Sequence, residues 1–135
     1  MRFSIITPTY NRSSLLKRLY LSLISQKRYI KEWIIIDDGS KDNTRFLIDE
    51  FKKENLFPII YEYHINKGMV HSINLALKYI TADYFFKVDS DDFLIKSSLK
   101  EINESISHIR SIYSINEVYA FSFLSKSVNN KSLNK

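Results

Sequence analysis

Cysteine is absent from the 135 residues. Its absence excludes disulfide bridges, thiolate catalysis, iron–sulfur clusters and cysteine-ligated zinc together, and it agrees with a reducing, cytoplasmic compartment. Glycine and proline are scarce, two of each, so the chain lacks the Gly-rich loops that bring backbone close to phosphate in many nucleotide sites. Any phosphate-binding device here has to be built from other groups. No apolar run approaches the roughly 20 residues of a membrane-spanning helix. The N-terminus opens directly on strand-like Arg2-Phe3-Ser4-Ile5-Ile6, where no signal peptide is expected.

What remains is a globular composition: 44% hydrophobic, 14% aromatic and 26% charged residues. A chain of this size buries roughly two-thirds of its unfolded surface, enough for one core without covalent staples. The formal charge of +5 is a modest surplus that suits phosphates or an anionic lipid surface, but it is too small to indicate nucleic acid.

Apolar runs and helical periodicities alternate along the chain. Arg2 to Thr7 reads as a strand ended by Pro8, and Leu15, Leu16, Leu19, Leu23 and Ile24 recur at helical spacing after the polar cluster Asn11-Arg12-Ser13-Ser14. Trp33 to Ile36 is a second strand stopped by Asp37-Asp38-Gly39-Ser40, followed helically by Phe46, Leu47, Glu50 and Phe51. Pro58 to Tyr61 is a third, ending near Asn66-Lys67-Gly68, with Val70, Ile73, Leu77 and Ile80 marking the next helix. Tyr84 to Val88 is a fourth, closed by Asp89-Ser90-Asp91-Asp92. Leu99, Ile102, Ile106, Ile109 and Tyr113 then share one helical face, and Val118 to Leu124 suggests a fifth strand. One domain over residues 1–124 is expected, with 125–135 a polar tail or cut edge. Strands made of Ile, Val and Phe, alternating with helices, predict an α/β fold: a mostly parallel sheet buried on both faces, with ligands at the carboxyl ends of its strands.

All four of those ends carry polar chemistry. Asp37, Asp38, Asp89, Asp91 and Asp92 would gather on one rim, where two carboxylates about 6 Å apart repel by roughly 3 kcal/mol at an effective dielectric near 20. A divalent cation relieves that repulsion. Oxygen ligands on an Asp-x-Asp turn suit Mg²⁺ or Mn²⁺, which completes its shell from water and substrate phosphates. An EF-hand loop is excluded, because Leu94 and Lys100 stand where it needs Gly and Glu. Asp37 is expected to bond turn amides and Asp92 to cap a following helix. Tyr10 offers an aromatic face for a base, Asp38 an acceptor for a ring N–H such as uracil carries, and Arg12 and Lys67 are cations for phosphate.

Taken in order, Thr7-Pro8-Thr9-Tyr10-Asn11-Arg12, Gln26, Ile35-Ile36-Asp37-Asp38-Gly39-Ser40-Lys41-Asp42-Asn43-Thr44, Asn66-Lys67-Gly68 with Asn74, Asp83-Tyr84 and Asp89-Ser90-Asp91-Asp92 resemble the family-2 glycosyltransferases of GT-A fold, over about residues 2 to 95. The resemblance implies a Rossmann-like sheet, a nucleotide-sugar donor (often a UDP-sugar) bound with Mn²⁺ or Mg²⁺, and inverting transfer to an acceptor hydroxyl. It implies donor-binding roles for Pro8, Thr9, Tyr10, Arg12, Asp38, Lys67, Gly68, Asp89 and Ser90, and metal ligation by Asp91 together with Asp89. Ile73 stands where many members have an Arg, so pyrophosphate contacts must come from Lys67 or elsewhere. The general base is expected beyond Lys135, making this chain the donor-binding half of a truncated fold. Its acceptor would be a carbohydrate or a lipid-linked sugar of polysaccharide biosynthesis, reached through peripheral contact with the inner face of the membrane. The alternative is a non-catalytic nucleotide-sugar-binding fragment or pseudoenzyme.

Overall fold

A computed structural model describes residues 1–112 of the chain. The suggested fifth strand, the end of the last helical face at Tyr113 and the polar tail lie outside the described residues. The elements follow in the order β1 (Phe3–Thr9), α1 (Ser13–Ile24), β2 (Ile30–Asp37), α2 (Thr44–Glu54), β3 (Ile59–Tyr63), α3 (Met69–Ala76), β4 (Phe85–Lys87) and α4 (Ser98–Ile112). Among the described residues the strands form one sheet in the order β3-β2-β1-β4, and every pair is parallel. The expected α/β class is therefore the observed one.

Burial explains which runs became central. Every residue of β1 is buried, and in β2 only Lys31 is exposed. On one face Phe3, Ile5, Trp33 and Ile35 pack with Leu16, Leu19, Tyr20 and Leu23 of α1, Ile48 and Phe51 of α2, and Leu99 and Ile106 of α4. Tyr20 stacks on Phe51 with ring centroids 3.8 Å apart, and the Trp33 indole N–H donates to Thr7 Oγ1 at 2.9 Å, so this aromatic core buries no unpaired indole donor. The opposite face is thinner: Ile6, Ile34 and Ile36 meet Ala76 of α3. Each fully buried Leu or Ile side chain contributes about 1.5–3 kcal/mol.

The structure corrects three parts of the sequence reading. β4 is three residues long at the edge of the described sheet, with Phe85 and Lys87 exposed, where a longer strand buried on both sides was expected. The buried face of α3 is Ser72 and Ala76, while Val70 and Leu77 are exposed; small residues let the helix lie close to the sheet, and a 3₁₀ turn from Leu77 breaks the period. In α2 the buried positions are Thr44, Ile48 and Phe51, which leaves Phe46 exposed off that face.

Register brings the strand ends level. Thr9 lies opposite Asp37, and Asp37 opposite Tyr63. β1 runs through Pro8 rather than stopping before it, because Ile6 turns its carbonyl to Val88 N–H and the two-residue alternation points the Pro8 nitrogen the same way, past the last β4 pairing at Lys87. α1 and α2 cover one face and α3 the other, so the chain reverses direction between β1 and β4. The crevice at that switch point is where ligands bind in open parallel sheets.

Candidate functional site

The loops leaving β1 and β2 are stitched together by side chains. Asn11, in a left-handed conformation (φ 50°), donates its backbone N–H to Ser40 Oγ and accepts from Lys41 N–H through Oδ1, both at 2.8 Å. Asp42 accepts from Ser13 N–H, the first amide of α1, and from the N–H and hydroxyl of Thr44 at the start of α2, at 2.6–3.0 Å. One carboxylate thus satisfies orphan donors of two helices. Burial pushes the Asp42 carboxyl up, but these hydrogen bonds outweigh it and hold it below the usual range. Asp37 has the expected structural role: fully buried, it accepts from Ser40 N–H at 2.7 Å and from the Tyr61 hydroxyl at 2.6 Å. Burial, and then the bond to Asp37, raise the Tyr61 hydroxyl well above its ordinary value.

Asp38 ties the third loop to the second. Its Oδ1 accepts from Lys67 N–H at 2.7 Å and its Oδ2 from Gly68 N–H at 3.0 Å, with His64 Nδ1 3.2 Å from Oδ1. The chain's two glycines lie at this junction in positive-φ conformations, Gly39 at 97° and Gly68 at 87°. A Cβ on Gly39 would come within 3.3 Å of Asn66 N.

After β4 the acidic turn closes on a bond from Asp92 N–H to the Asp89 carbonyl at 3.0 Å. Asp92 therefore belongs to this turn and caps no helix, since α4 begins only at Ser98. That helix is held by Gln26, which is buried and whose Oε1 accepts from Leu99 N–H at 2.8 Å. Asp91 pairs with Arg12, and Arg18 donates to the Asp91 backbone carbonyl. Lys87 lies 2.5 Å from Asp89. The Arg12 guanidinium beside Asp91 holds that carboxyl below its usual range, against a smaller push from burial.

Between these loops is a cavity of about 320 Å³, lined on the β1 side by Pro8, Thr9, Tyr10 and Arg12 and on the β4 side by Asp89, Ser90 and Asp91. Asp38, Met69 and Ser72 complete it. Eight of the ten residues singled out in the sequence thus share one cavity. Lys67 and Gly68 do not line it; they enter through the amides that fix Asp38. Tyr10 is 45% exposed, so its ring stands as an open platform rather than as core. Thr9 Oγ1 is buried and has no hydrogen-bond partner among the described residues, an orphan that a ligand could satisfy.

Among the described residues no group of three His, Cys, Asp or Glu side chains is set to hold a metal. The donor set that is present, Asp89 and Asp91 on the cavity wall, fits a hard octahedral ion that draws its remaining oxygens from water and a diphosphate. Sequence reasoning missed Met69 and Ser72, and also the structural work of Asn11, Asp42 and Gln26. For Asp42 the signal was available, since Asp two residues before a helix-starting Thr is a turn-and-cap pattern. For Gln26 no local pattern shows that it reaches a helix some 70 residues on.

The family model "Glycosyl transferase family 2" matches residues 4–129. The Escherichia coli protein named UDP-Glc:alpha-D-GlcNAc-diphosphoundecaprenol beta-1,3-glucosyltransferase WfgD is 35% identical over 97 residues, which are 72% of this chain and 38% of that protein. Among solved structures, S. aureus TarS 1-349 in complex with UDP-GlcNAc superimposes with a TM-score of 0.73 at 31% identity, over 80% of this chain and 32% of that one. The mannosyltransferase PcManGT from Pyrobaculum calidifontis, in complex with GDP-Man and Mn²⁺, shares the fold at a TM-score of 0.65 and 23% identity, over 73% of this chain and 30% of its own. The chain spans about a third of the length of these relatives. With the doubly wound sheet, the switch-point cavity and a family match over most of its length, the chain belongs to glycosyl transferase family 2.

Proposed function

We propose that residues 1–135 form the donor-binding half of a metal-dependent, inverting glycosyltransferase that uses a nucleotide-diphosphate sugar, with UDP as the nucleotide. The observation that carries the reading is the cavity itself, which Tyr10, with its open aromatic ring, and Thr9, with its orphan hydroxyl, line together with a pair of carboxylates at the sheet's switch point. TarS, at 31% identity, was crystallised with UDP-GlcNAc, which supports a uridine nucleotide here.

On this reading Tyr10 stacks on the base, contributing about 1–3 kcal/mol. Pro8 and Thr9 border the nucleoside, and the Thr9 hydroxyl gains the partner it lacks. Asp38, whose Oδ2 takes the Gly68 amide alone among the described residues, accepts from the ring N–H of uracil. Ser90 donates to the ribose or to water beside it, and Arg12 turns its charge toward the diphosphate. Lys67 and Gly68 act through their amides, fixing Asp38 in place. A bound Mn²⁺ or Mg²⁺, held by Asp91 and Asp89, would neutralise charge on the departing diphosphate. The acceptor is a carbohydrate or lipid-linked hydroxyl at the inner face of the membrane, and the carboxylate that deprotonates it lies outside residues 1–135. No helix among the described residues is long and apolar enough to cross a membrane.

Thermal melting tests the reading. UDP with Mn²⁺ is expected to raise the melting temperature more than either alone, and Asp91→Ala to abolish the metal-dependent part while keeping a response to UDP. No shift with UDP under any metal condition would overturn it.

A further inference from the structure

The carboxylates proposed to hold the metal each have a cation of their own. Arg12 Nη1 contacts Asp91 Oδ2 and Lys87 Nζ lies 2.5 Å from Asp89 Oδ1, so the four side chains sum to no net charge. The two arginines near Asp91 differ in what they hold. Arg18 grips the backbone carbonyl and lies over the Phe93 ring, with Cζ 5.1 Å from its centroid, which ties the turn to α1. Arg12 grips the side chain. The Arg12 backbone is anchored on both sides, by Asn11 to Ser40 and Lys41 and by Ser13 to Asp42, whereas its side chain is 43% exposed and its partner's 51%. It can therefore turn within the cavity while its attachment point stays fixed.

We propose, resting on the nucleotide-sugar reading above, that Arg12 is a stand-in cation. In the ligand-free protein it occupies the Asp91 carboxylate and makes metal binding conditional on a diphosphate. The electrostatics give the order. A divalent ion entering alone must displace Arg12 from Asp91 and leaves the guanidinium beside it without a partner. A nucleotide-sugar diphosphate carries two negative charges and offers Arg12 a new bidentate partner when it releases Asp91. Metal and nucleotide then strengthen each other's binding by the same factor, as linkage requires, and part of that factor comes from Arg12. Arg18 keeps the turn in place during the exchange, so the coupling needs no movement of backbone.

The test is an Mn²⁺ titration of the full chain followed by the electron paramagnetic resonance of free Mn²⁺, with and without UDP, in wild type, Arg12→Gln and Arg12→Lys. Freed of its competitor, Arg12→Gln is expected to bind Mn²⁺ alone about fivefold more tightly than wild type, the scale of one partly exposed ion pair. The factor by which UDP strengthens Mn²⁺ should shrink by a similar amount, and Arg12→Lys, which keeps the charge, should stay near wild type. Unchanged or weaker Mn²⁺ binding by Arg12→Gln without UDP would overturn the proposal. Wild-type protein that binds neither UDP nor Mn²⁺ would overturn the donor-binding reading itself, a different result from intact coupling that Arg12→Gln leaves alone. As a second readout that needs no variant, the Arg12 side-chain NMR signal should move with Mg²⁺ and UDP together and hold still with Mg²⁺ alone. Equal movement in both conditions counts against the proposal.

Discussion

Replacing Asp38 by alanine removes the acceptor that pins the loop after β3 to the end of β2. The carboxylate takes N–H bonds from Lys67 at 2.7 Å and Gly68 at 3.0 Å, and the residue is only 9% exposed. A hydrogen bond to a charged group contributes about 1.5–3 kcal/mol, but the two amides sit beside an open cavity where water can replace part of what is lost. A net cost of about 2–4 kcal/mol follows for Asp38→Ala. In a domain of this size each kcal/mol shifts the midpoint by about 3–4 °C, so the melting temperature without ligand should fall by roughly 7–15 °C. Asp38→Asn keeps one acceptor oxygen and turns an NH₂ toward the other amide, so it should lose less than alanine but remain well below wild type. Urea unfolding followed by the fluorescence of the single tryptophan, Trp33, on the adjoining strand gives the free energies directly. Asp38→Ala melting within about 2 °C of wild type would refute the claim that this carboxylate organises the site before any nucleotide arrives.

Other consequences can be checked with the same protein. Tyr10→Ala should weaken UDP by about 1–3 kcal/mol in calorimetry and leave its metal dependence intact; equal affinity in both proteins would remove the stacking role. Gly39→Ala places an L-residue at φ 97° and its Cβ 3.3 Å from Asn66 N, a destabilisation of about 1–3 kcal/mol measurable by urea titration. Glu32, buried within β2 opposite Ser4, accepts from Ser4 Oγ and from the N–H and hydroxyl of Thr81. Burial pushes its carboxyl up, but these bonds prevail and hold it below its ordinary value of 4.5. A depressed carboxyl stabilises the fold above the unfolded-state value, so the advantage of wild type over Glu32→Gln should be complete above pH 4.5 and shrink as pH falls below it. A gap between the two that is flat with pH would contradict this.

The central strands and the rim of the sheet were legible in the sequence because their signals are local. An apolar run followed by a polar cluster marks where a strand lies and roughly where it ends, and parallel topology then brings Tyr10, Asp38 and Asp91 to one crevice without knowledge of any contact. The same reasoning failed at the periphery. Val70, Ile73 and Leu77 formed a plausible stripe, but α3 packs through Ser72 and Ala76, because close approach to a sheet rewards small side chains that a hydrophobicity count passes over. Phe85 reads as buried strand, yet it is exposed on β4 at the edge of the described sheet, while Phe86 beside it does pack against the core. Cross-loop partners such as Asn11 with Lys41 and Gln26 with Leu99 pair residues too far apart in sequence for any periodicity to register. That the Lys67 amide holds Asp38 is likewise invisible in the sequence, where only its side-chain charge shows.

The most direct measurement is isothermal titration of the purified chain with UDP and with GDP, each in Mn²⁺ and in chelator. The account predicts that UDP binds in Mn²⁺, binds more weakly once the metal is chelated, and is preferred over GDP. Titrations without binding heat for either nucleotide in any of the four conditions would contradict it.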